Sequence, residues 1–266
     1  GSVVTEESHR GQGLSRQILQ SCLEEATNQG CDIAVLWTQL HDFYRKMGFE
    51  LAGFEESFVI DRPLEVPPAP LEIKKGFQVA PEAILRLYQK HTVATHRTLE
   101  DFRSFLQIPQ SQLYTAWSPA GSLEAFAVEG KGSDLTDYIH EWSGSIPALF
   151  ALFNFILSEK KRSFVLIAPR HSVQLMKAFQ HQGVFHHEGF LGMIKILKRE
   201  QLIAKVDRAC KALGIPGPDV KTLTEAALVR LFFGPWSETE PTLLSPQLMS
   251  LNVLPLRFWL WGWDSV

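Results

Sequence analysis

The chain has 266 residues, 45% of them hydrophobic, and a formal net charge of -3. That is enough apolar material for at least one sizeable core, but the charge exerts no long-range pull on nucleic acid and no basic run interleaves with aromatics. No run reaches the roughly 20 apolar residues of a membrane span; Cys22, Cys31 and Cys210 lack paired spacing, which argues against a disulfide framework or zinc ribbon and for a reducing compartment, the cytoplasm.

Val3-Val4-Thr5 reads as a β-branched strand end, followed by a polar loop with Gly11 and Gly13. A helix begins near Leu14, because Leu14, Ile18, Leu19, Cys22, Leu23 and Ala26 recur on one face. The first-turn amides of such a helix lack intrahelical acceptors. Gly11 and Gly13 remove side chains in front of them, and the helix dipole and Arg10 favour negative charge, so the loop is a candidate phosphate site. A conformational turn is the alternative reading of two glycines. Asp32 to Trp37 is predicted as a strand and His41 to Met47 as a short helix stopped by Gly48.

Asp61 to Pro70, with Pro63, Pro67, Pro68 and Pro70, cannot be helical and marks a connector. Beyond it the pattern predicts helices over 81–91 and 99–106, then strands over 112–117, 122–129 and 138–142. A helix over 146–160, a strand over 164–168, a helix over 172–180 and a closing strand over 190–197 follow. His186-His187-Glu188 reads as a solvated turn, since adjacent strand residues point to opposite faces and no partner stands at metal-ligand spacing. Helices are expected over 201–213 and 222–232, and the tail from Pro255 to Val266 is aromatic enough to demand burial.

The Arg10-Gly11-Gln12-Gly13-Leu14-Ser15 loop and Phe43-Tyr44-Arg45-Lys46-Met47-Gly48-Phe49 together resemble the Gcn5-related N-acetyltransferase (GNAT) family. In that family an Arg-Gly-x-Gly-x-(Gly/Ala/Ser) loop follows the fourth strand and a Phe-Tyr-x-Lys-x-Gly-Phe motif follows the fifth. The resemblance implies acetyl-CoA as co-substrate, with no metal. Val3, Val4 and Thr5 would bind the pantetheine arm through the backbone. Arg10, Gly11, Gln12, Gly13, Leu14, Ser15 and Arg16 would cradle the diphosphate. Tyr44 would protonate the departing thiolate as catalytic acid, the alternative being a half-buried aromatic with its hydroxyl in water. Since residue 1 already falls in the fourth strand, the first lobe is expected to be truncated and to lack much of its acceptor site.

The expected fold class is α/β (α+β): tandem GNAT-like lobes, each a mixed central sheet flanked by helices, plus a small C-terminal region. Residues 1–62 would be the C-terminal half of the first lobe, 63–71 a linker, 72–199 a degenerate second lobe and 200–266 the C-terminal region. Degeneracy shows at Phe179, which aligns with Tyr44, and at Ser143-Gly144-Ser145-Ile146-Pro147, which replaces the Arg-Gly-x-Gly loop. The arrangement is similar to the enhanced-intracellular-survival acetyltransferases, in which the terminal carboxylate serves as base. Carried over, Val266 would take that role, a buried hydrophobic strap being the alternative. Glu6, Glu7, Glu141 and Asp264 are other candidate bases. The expected reaction is direct attack of a primary amine, on a small molecule or peptide, on the acetyl thioester, with the strand near Val4 stabilising the oxyanion. A homo-oligomer through the second lobe is the expected assembly. The competing reading is a non-catalytic acyl-CoA-binding or scaffold protein.

Overall fold

The computed structural model describes residues 3–238 and 240–264, so Val266 lies outside the described residues. In chain order the first elements are α1 (Leu14–Asn28), β1 (Ile33–Leu36), α2 (His41–Arg45), β2 (Glu50–Ala52), β3 (Glu55–Ile60) and β4 (Glu72–Lys75). Next come α3 (Pro81–Tyr88), α4 (Leu99–Phe105), β5 (Gln112–Trp117), β6 (Leu123–Lys131), β7 (Asp134–Gly144) and α5 (Ile146–Lys160). The remainder is β8 (Phe164–Ala168), α6 (Val173–His181), β9 (Phe185–Gly189), β10 (Gly192–Ile196), α7 (Arg199–Ala212), α8 (Glu225–Phe233) and α9 (Pro246–Ser250). The protein is an α/β molecule of strands and flanking helices.

The chain packs as two compact units, residues 1–54 with 190–257, and residues 55–189 with 258–266. In the first, β10 lies between β1 and β2 in a three-stranded antiparallel sheet. Leu19 and Leu23 of α1 pack with Met47, Phe49 and Met193 on this sheet, while α8 packs on β2 and β10. Ile18 and Cys22 stay exposed, so the apolar stripe of α1 is narrower than its sequence pattern. The second unit has a seven-stranded sheet ordered β4-β5-β6-β7-β8-β3-β9, antiparallel except for the parallel pair β7 and β8. Its apolar helix α5 buries Leu149, Phe150, Leu152, Phe153 and Ile156.

Three local expectations are corrected. Val3, Val4 and Thr5 are not in a strand: Val4 is 81% exposed and the described ladder partner of β1 is β10. His186-His187-Glu188 is part of β9 rather than a turn, because a partner strand supplies what the local pattern hides. His186 Nε2 lies 2.5 Å from Oε2 of the fully buried Glu56, and its ring stacks on Phe58 with centroids 4.9 Å apart. The strand expected to close the second lobe, β10, instead joins β1 and β2, whereas β3 from the first segment sits between β8 and β9. Packing thus divides the chain discontinuously, unlike the linear segments of the sequence.

The aromatic tail is buried: Trp259, Trp261 and Trp263 are each no more than 2% exposed. Residues 258–264 are held in the second unit by Arg97. Its Nη1 and Nη2 donate to Glu141 at 2.9 and 3.2 Å, and its Nε donates to Asp264 at 2.8 Å. Burial pushes Glu141 up against the pull of this guanidinium. The Trp263 amide completes the network by donating to Glu141.

Candidate active site

The candidate site starts at the turn into α1. Gly13 is the N-cap residue at φ +74, no side chain caps the helix, and Gln17 N donates to Gly13 O at 3.1 Å as the first intrahelical bond. The amides of Leu14, Ser15 and Arg16 therefore precede the hydrogen-bonded ladder, at the positive end of the dipole. Gly11 also has positive φ, and a Cβ at either glycine would meet nothing within 4 Å. The glycines thus answer to backbone conformation and leave open space ahead of the helix, which suits a bulky anion. Arg10 is exposed and pairs with Glu7 at 3.8 Å, and Arg16 is exposed on the first turn.

Tyr44 is half-buried on α2. Its ring packs edge-on against Phe43 and Phe49, with centroids 5.0 and 5.8 Å away, and joins the cluster containing Leu19 and Leu23. One core therefore positions both α1 and the phenol. The helix stop after Tyr44 has Gly48 N bonded to Arg45 O and Phe49 N to Tyr44 O. The same pattern follows Phe179, through Gly183 N to Gln180 O and Val184 N to Phe179 O. Bonds from Cys31 to Ala26 and from Ile215 to Cys210 repeat its longer arm, so this is a common helix stop rather than a mark of duplication.

The corresponding turn of the second unit is built otherwise. A Cβ at Gly144 would lie 2.5 Å from the Ala125 Cβ and the Glu124 carbonyl, so this glycine serves close packing on β6. Pro147 removes an amide from the first turn of α5.

Glu141 and Asp264 are committed to Arg97, which leaves them unsuited as free bases. Glu6 and Glu7 lie beside the loop, within 3.7 and 3.8 Å of His9 and Arg10 respectively. The Arg97 network escaped the sequence reading because its members lie far apart along the chain, and Arg97 itself carries no motif. Among the described residues no group of three or more His, Cys, Asp or Glu could hold a metal, and no helix is long and apolar enough to cross a membrane.

Residues 1–51 match the family model of the acetyltransferase (GNAT) domain. The match covers 51 of the 266 residues. The GNAT fold extends well beyond it. A probable N-acyltransferase from Enterococcus faecalis superposes with a TM-score of 0.55 at 19% identity, covering 78% of this chain and 56% of its own. A GCN5-related N-acetyltransferase from Kribbella flavida gives 0.51 at 18%, covering 77% and 53%. One from Anabaena variabilis gives 0.50 at 17%, covering 75% and 54%. The chain thus spans little more than half the length of each of these structures. No curated protein matches it.

Proposed function

We propose that the chain carries the co-substrate half of an N-acetyltransferase that moves an acetyl group from acetyl-CoA to a primary amine of a small molecule or peptide. The observation that carries this reading is the uncapped N-terminus of α1 behind two open, positive-φ glycines, within the segment that matches the GNAT domain. In this proposal Arg10, Gly11, Gln12, Gly13, Leu14, Ser15 and Arg16 bind the diphosphate, and the backbone of Val3, Val4 and Thr5 binds the pantetheine arm. Acetyl-CoA supplies a thioester whose carbonyl is the electrophile.

Tyr44 donates its phenolic proton to the sulfur as the carbon–sulfur bond breaks, and an amide near Val4 stabilises the oxyanion. The half-buried ring, held edge-on by Phe43 and Phe49, restricts the phenol to few orientations. A cytoplasmic location and self-association through the second lobe belong to the same proposal.

A second reading, acyl-CoA binding without turnover, is favoured by the exposure of Val4 and the lack of a strand at residues 3–5. Thiol release from acetyl-CoA in the presence of a panel of primary amines separates the two. Catalysis predicts that Tyr44→Phe lowers kcat by about 10-fold or more while KM for acetyl-CoA stays within about 2-fold. Equal turnover by the variant would overturn the role of Tyr44, and binding without thiol release would favour the second reading.

A further inference from the structure

The parallel strands β7 and β8 pair only at Tyr138 with Val165 and Ile139 with Leu166, and then part. The Trp142 indole crosses to the diverging strand and donates to the Ile167 carbonyl at 3.0 Å. A cavity of about 470 Å³ lies beside this fork, a volume in the range of small-molecule sites. All of its lining belongs to the second compact unit.

Among the described residues no carboxylate side chain lines this cavity, although acidic residues outnumber basic ones in the chain as a whole. Lys90, His91 and His171 bring nitrogen groups to it, and Ile146, Leu149 and Leu175 bring apolar surface. One wall is rigid. His91 Nε2 lies 3.0 Å from the Trp142 carbonyl oxygen, and its ring lies tilted on Trp261 with centroids 3.9 Å apart and edge-on to Trp142. Burial lowers the His91 pKa to about 4, so at neutral pH this imidazole is uncharged, while Lys90 brings a cationic group to the lining. The first turns of α5 and α6 also contribute to the lining, and their dipoles add positive potential.

We propose that this cavity is a second ligand site, separate from the α1 loop, which takes a small organic anion with a carboxylate or phosphate head on an apolar body. Apolar surface faces the body, while Lys90 and the polar rim face the head. A primary ammonium would meet like charge at Lys90, with no carboxylate side chain among the described lining residues. The close packing of Gly144 on β6 and the missing amide of Pro147 leave no cradle for a CoA diphosphate, which favours a smaller ligand.

The test is calorimetric titration of the full chain with phenyl phosphate, with benzoate, and with benzylamine as the cationic control. Val173→Asp places a negative charge at the cavity edge. Val173 is 50% exposed in the first turn of α6, where an acid is compatible with the helix, and circular dichroism confirms that the variant folds. The expected result is one-site binding of at least one anion, with the stronger arm identifying its head group, weakened by about 10-fold or more in Val173→Asp, and no benzylamine binding. Acetyl-CoA affinity should be unchanged by Val173→Asp. Failure of both anions to bind at millimolar concentration would overturn the proposal. So would anion binding insensitive to Val173→Asp, anion binding abolished instead by Gly13→Val, or equally tight binding of benzylamine. Each of these outcomes leaves the reading of the α1 loop standing.

Discussion

Glu55 and Glu240 illustrate how surroundings separate two identical side chains. Burial without a compensating charge pushes Glu55 up to about 7. Glu240 is also buried, which by itself would raise it, but hydrogen bonds from Ser237 and Arg230 bring it down to about 2. The consequences for stability have opposite sign. Glu55 keeps its proton longer in the folded state than in the unfolded state, so folding stability falls as pH rises from about 4.5 to about 7 and the loss is complete above that. Glu240 contributes stability above about 4.5 that is lost as pH falls toward about 2. Glu55→Gln should therefore stabilise the protein at pH 8 by on the order of 2 kcal/mol, and have little effect near pH 4. Urea denaturation of both proteins at the two pH values measures it. An equal effect at both would show that Glu55 is not held protonated by burial. At this scale the legible residues were those inside short motifs, such as Gly13 and Tyr44. Glu55 and Arg97 were not legible, because their environments come from distant chain segments.

Most helices and strands lie within a few residues of their expected bounds, since periodicity and stop signals are local. Strand β9 was hidden because His186 and Glu188 are polar, and only the burial of Glu56 on the neighbouring strand explains a histidine there. The tail is the converse case: its need for burial was legible in its tryptophans, whereas its partner was not. Arg97 supplies that partner by joining Glu141 to Asp264, with the Tyr88 ring 4.1 Å from its guanidinium carbon. Removing it leaves a fully buried carboxylate uncompensated. Arg97→Met should cost about 3–5 kcal/mol. Arg97→Lys should recover little of that, because an ammonium cannot reproduce the bidentate contact and the Nε bond together. Thermal melts followed by tryptophan fluorescence would show both losses. A lysine variant as stable as the parent would mean that charge alone, not geometry, holds the tail.

At the scale of the whole molecule, α/β class and a GNAT fold were legible from two motifs and their order. The discontinuous packing was not. Nothing local in β3 or β10 says that each pairs with strands from a different sequence segment, because both simply alternate or run apolar. The functional account rests on one feature of this architecture, the open turn into α1 carried on the core that also holds Tyr44. Titration of the chain with acetyl-CoA, followed by calorimetry, tests it most directly, with Gly13→Val beside Gly30→Ala. Both glycines have positive φ with open space around them, so both substitutions strain the backbone, but only the first obstructs the proposed diphosphate site. One-site binding that survives Gly30→Ala and disappears in Gly13→Val is the predicted result. No binding by the parent chain, or binding indifferent to Gly13→Val, would contradict the assignment of this loop as the co-substrate site.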